Sequence, residues 1–83
     1  MPQSEDIIIE ALLATAQSRL LEASMHIAQM RVSHLQGEHS KFWKGFRDCS
    51  DASAIASLTI IDVSKIKSLA DTRIIAEPAG GVN

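Results

Sequence analysis

The chain has 83 residues, a mass of 9.0 kDa, 46% hydrophobic residues, 22% charged residues and a formal net charge of −2. A chain of that size forms one small domain, which alone buries only about 60–65% of the surface its unfolded form exposes. Four glycines and two prolines exclude collagen-like and low-complexity chains, and the acidic balance gives no attraction to nucleic acid or to an anionic membrane.

The first predicted element is a long helix over about 4–36. Ser4 can cap its start, Glu5 and Asp6 suit the positive end of the helix dipole, and Gly37 suits a C-terminal cap. No Pro or Gly interrupts the segment, and good helix formers dominate it. Read at a spacing of seven, it carries two apolar stripes centred about 150° apart. One combines Ile7, Ala14, Leu21, Ala28 and Leu35 with Ala11, Met25 and Val32. The other combines Ile9, Ala16, Ala23 and Met30 with Leu13, Leu20 and Ile27. A single column, Glu10, Gln17, Ser24 and Arg31, separates them on one side. Mainly polar columns, one of them Arg19, His26 and Ser33, fill the other side.

A helix packed on one neighbour needs only one stripe, and a helix with two is normally sandwiched. One returning helix is expected to cover one stripe, and a second copy or a foreign partner the other. The self-association residues are then Leu21, Met25, Val32 and Leu35, or Leu13, Leu20, Ile27 and Met30.

A turn is predicted over 37–40, with Ser40 capping the second helical segment. Residues 41–47 then hold all three aromatics and three of the eight basic residues. In a helix, Phe42, Phe46 and Cys49 share a face, Lys41, Lys44 and Arg47 point away, and Trp43 sits at the boundary. Either Phe42 and Phe46 plug the hairpin end of the core, with the cations solvated, or the segment is a contact site. In the second case Lys41, Phe42, Trp43, Lys44, Phe46 and Arg47 bind a partner protein, since Trp and Arg favour hot spots, or hold a small anion.

The second half, about 41–76, reads as helical but less regular. Phe42, Cys49, Ala56, Val63 and Ala70 form an unbroken column at spacing seven, usable as a seam against the first helix. Residues 58–63 are β-prone, which predicts a kink or break near 62–64. Pro78 and Gly80-Gly81 predict a flexible tail over 78–83.

Cys49 is the single cysteine, so no intrachain disulfide forms and a cytoplasmic location is expected. The acidic start, Met1 to Asp6, is not a signal peptide, and no apolar run is long enough to span a membrane. His26, His34 and His39 lack the three- or four-residue spacing of helical metal ligands. There is no phosphate loop and no nucleophile motif, so no catalytic residue, cofactor or metal is expected.

The expected fold is all-α: one domain over 1–77, an antiparallel helical hairpin with a long first helix and an irregular or broken second half, assembling as an oligomeric bundle. The expected role is that of a non-enzymatic interaction protein, of adaptor, chaperone or inhibitor type. It binds itself, as a homodimer or higher assembly, and one other protein. The alternative is an oligomeric binder of a small anionic ligand such as a nucleotide. A small enzyme or regulator without a recognisable motif is the second alternative.

Overall fold

The computed structural model describes residues 4–82, with side chains as far as Thr72. Two helices account for nearly all of it: α1, Ser4–Leu35, and α2, His39–Val82. They run antiparallel and pack on each other along the length of α1. Among the described residues there is no strand.

The reversal between them rests on one glycine. Gly37 adopts φ +69°, the left-handed conformation that costs a side-chain-bearing residue most. Its N–H donates to the His34 carbonyl at 3.2 Å, and the Glu38 N–H donates to the Ser33 carbonyl at 2.8 Å. This pair of bonds satisfies the last carbonyls of α1 and turns the chain sharply. The cap predicted at Gly37 is therefore in place.

The irregular or broken second half is not found. α2 passes Gly45, the β-prone stretch 58–63 and Pro78 as one helix of 44 residues. Packing overrides the local preference of 58–63, where Thr59 and Val63 are half-buried in the seam. The Thr59 hydroxyl donates to the Ile55 carbonyl at 2.8 Å, so its polar group is satisfied within the helix. α2 continues to Val82 where the sequence predicts a tail, and Asn83 lies outside the described residues.

The seam follows a three-four spacing on both helices. On α2 it runs Phe42, Gly45, Cys49, Ala52, Ala56, Thr59, Val63, Ile66 and Ala70, each buried or half-buried, and so contains the column predicted at spacing seven. On α1 it runs Ile9, Leu12, Ala16, Arg19, Ala23, His26, Met30 and Ser33. One side of this α1 seam is the apolar column Ile9–Met30, half of the second predicted stripe. The other side is the column Arg19, His26 and Ser33, which the sequence pattern places among the polar faces.

The physical reason is size. Among the described residues the buried hydrophobic ones are Ala16, Ala23, Ala52 and Ala56, the last 1% exposed. Small residues let the helices approach closely, and closeness, not the apolarity of the columns, sets which faces meet. Long side chains beside them cover the seam with their stems. The Arg19 guanidinium reaches out to Glu22 at 3.0 Å.

The molecule is a rod of 70 × 20 × 13 Å with a radius of gyration of 19.4 Å. A compact domain of this length would have a radius of about 12 Å. Among the described residues no side chain larger than alanine is fully sequestered, so the hairpin has a seam and no true core.

Candidate functional site

Both flanks of the seam are open, and they differ in chemistry. On α1, Leu13, Leu20, Ile27 and His34 each lie four residues after a seam residue of the Ile9–Met30 column. On α2, Phe46 and Ile60 lie four residues after the seam residues Phe42 and Ala56. At about 100° per residue, this puts all six on one flank.

Ile60 closes a shallow groove of about 360 Å³ with Leu13, Ala16, Gln17, Leu20 and Leu21. Toward the turn the same flank becomes aromatic. The Phe42 ring lies 6.1 Å from His34 and meets Trp43 edge-on at 5.3 Å, and Trp43 meets Phe46 edge-on at 5.5 Å. Phe42 is half-buried at the seam, whereas Trp43 and Phe46 are 57% and 48% exposed. Phe42 alone thus plugs the hairpin end, and Trp43 and Phe46 stand as an exposed aromatic pair.

The opposite flank carries ion pairs beside apolar groups such as Ala28 and Val32. Next to the turn it holds a groove of about 480 Å³ whose lining includes Val32, Ser33, Gln36, Glu38, Lys41, Lys44, Gly45 and Asp48. Lys41 pairs with Glu38 at 2.6 Å and Lys44 with Asp48 at 3.7 Å. The hydrogen bond from Lys41 to Glu38, and then the Glu38 charge, raise the Lys41 pKa above the usual 10.5. Further along this flank, Arg19, Glu22, His26, Asp48, Asp51, Ala52 and Ile55 line a groove of about 240 Å³. The buried Nδ1 of His26 has no hydrogen-bond partner.

The structure therefore divides the 41–47 segment. Trp43 and Phe46 face the apolar flank, Lys41 and Lys44 face the charged one, and Arg47 is exposed on the back of α2. Each lysine of this groove faces a carboxylate, so the groove has no excess positive charge.

The residues expected for self-association also separate. Leu13, Leu20 and Ile27 are exposed on the apolar flank. Met25 and Leu35 are exposed on the back of α1, Leu35 at 84%, while Leu21 borders the groove of the apolar flank and Val32 the groove of the opposite flank. Met30 instead turns into the seam, where a Cβ on Gly45 would lie 2.8 Å from its Cγ. Ile60 is absent from the residues the sequence pattern nominates. Its position four after Ala56 was the available signal, because it repeats the step from Phe42 to Phe46.

Among the described residues no group of His, Cys, Asp or Glu is gathered to hold a metal ion, and no helix is long and apolar enough to cross a membrane. Cys49 is a free, half-buried thiol in the seam. Compared with known proteins, the chain matches no protein-family model, no curated protein and no solved structure.

Proposed function

We propose that the chain is a small non-enzymatic interaction protein, of adaptor, chaperone or inhibitor type and cytoplasmic, that self-associates and docks a protein partner through its apolar helix faces. One observation carries this reading. Among the described residues the buried hydrophobic ones are four alanines, while sixteen large apolar residues are exposed. Contiguous apolar patches beyond a few hundred Å² are rare on monomers and mark interaction sites.

Two surfaces serve the role. The flank carries Leu13, Leu20, Ile27, Ile60 and the Trp43–Phe46 pair, and large aromatic side chains are favoured anchors. The back of α1 carries Met25 and Leu35, with Leu21 and Val32 at its two edges. A small anion is the weaker reading, because Lys41 and Lys44 are each engaged by a carboxylate and Arg47 lies away from their groove.

Light scattering on the full chain tests the proposal. The expected mass is a multiple of one chain, lowered by Trp43→Ala on the flank or Met25→Asp on the back of α1. A wild-type chain that is monomeric at every concentration, and whose mass and melting temperature neither substitution changes, overturns it.

A further inference from the structure

The column between the two apolar stripes of α1 identifies the occupant of the apolar flank. It reads Glu10, Gln17, Ser24 and Arg31: an acid at one end, a base at the other, neutral groups between. Glu10 and Arg31 are exposed, and neither forms an ion pair among the described residues. Such a column is complementary to itself when reversed.

We propose that the flank is covered by a second copy of this chain, related by a two-fold axis perpendicular to the helices near Leu20, so that two hairpins form an antiparallel four-helix bundle. This rests on the interaction reading above and names its partner. Reversal about that point sets Glu10 of each copy opposite Arg31 of the other, twice. Leu20 meets its own copy, and Leu13 meets Ile27. The same operation carries the exposed Phe46 ring of each copy to the groove that Leu13, Leu20 and Ile60 form on the other. A parallel pair would forfeit both matches.

The area suffices. The hairpin is 20 Å across, and Leu13 to His34 spans about 32 Å at 1.5 Å per residue. Two such flanks face to face bury about 1,200 Å² in total, within the range of stable specific pairs. Because the axis is two-fold, this contact is closed at two chains, and any larger assembly uses the back of α1.

A charge exchange on the full chain tests this. Glu10→Arg and Arg31→Glu are each expected to weaken the dimer about tenfold by light scattering or sedimentation, since each breaks two pairs and creates two like-charge contacts. The double variant, with the charges exchanged, is expected to regain wild-type affinity. Leu20→Cys in a Cys49→Ser background is expected to cross-link on oxidation, and Trp43→Cys in the same background is not. Far-UV circular dichroism identifies any variant that has lost its helices, and the cross-linking pair then decides. An assembly in which the exchange does not restore affinity, or in which Trp43→Cys cross-links and Leu20→Cys does not, overturns the antiparallel dimer and leaves the interaction reading standing. A helical wild-type monomer at every concentration overturns the dimer, and with no effect of Met25→Asp or Trp43→Ala it removes the interaction reading as well.

Discussion

Gly45 lies where Met30 crosses α2, and a single methyl group there has opposing effects. Replacing glycine by alanine inside a helix gains about 1 kcal/mol from backbone entropy. The added Cβ would lie 2.8 Å from the Met30 Cγ, so the thioether chain must move or the helices must part. Overpacking of this kind costs about 1–3 kcal/mol. Gly45→Ala alone is therefore expected to lower stability by about 1 kcal/mol. In a Met30→Ala background the same change is expected to raise it by about 1 kcal/mol. Urea titration of the four proteins reads that reversal of sign, and a gain in both backgrounds would refute the close contact. The Lys41–Glu38 pair behaves differently because it is exposed. Glu38 raises the Lys41 pKa, so the pair favours the folded chain below the unfolded value of 10.5 and is lost as pH rises through the folded value. Glu38→Gln is expected to return the Lys41 titration toward 10.5, read by NMR, with little change in melting temperature at neutral pH.

At the scale of the helices, small residues set the contact. Ala56 is 1% exposed in the seam, whereas Ala54, two residues away, is exposed. Ala56→Leu is expected to cost about 2 kcal/mol by prising the helices apart, and Ala54→Leu close to nothing. Equal losses at both positions, measured by urea titration, would rule out the seam register. This is also where sequence reading succeeds and fails. Gly37 was legible because a left-handed cap requires glycine, and Phe42–Ala70 because its spacing never breaks. The α1 seam was not legible, because hydrophobicity ranks Arg19 and His26 as outward residues. Long side chains can cover a seam with their stems, and only the nearness of Ala16 and Ala23 to the other helix reveals that they do. The continuity of α2 was hidden for a related reason: 58–63 has β-prone residues, and packing decided the matter. The apolar flank was half legible. Leu13, Leu20 and Ile27 stood out at spacing seven, but their neighbour Ile60 comes from a distant part of the chain and appears only once the seam fixes the register.

For the whole molecule, the balance between seam and surface determines how stability depends on concentration. Among the described residues the seam fully buries only alanines and half-buries Ile9, Leu12, Met30, Phe42, Val63 and Ile66, while sixteen large apolar side chains remain exposed. Burying one such side chain contributes about 1.5–3 kcal/mol, so the flanks hold more potential stabilisation than the seam itself. Folding and association are therefore expected to be coupled, and melting should respond to mass action. A partner that binds only the folded form stabilises it by about 2.7 kcal/mol when its concentration reaches about a hundred times the dissociation constant. Shared between the two chains of a dimer, about 1.4 kcal/mol each, this corresponds for a small domain to a rise in melting temperature of about 5–10 °C over a hundredfold increase in protein concentration. Leu20→Asp, at the centre of the flank, is expected to lower the melting temperature and to abolish that dependence. Ser68→Asp, exposed on the back of α2, should preserve it. Calorimetric scans across the concentration range check both. A wild-type melting temperature that does not move with concentration would mean that the alanine seam alone holds the hairpin together.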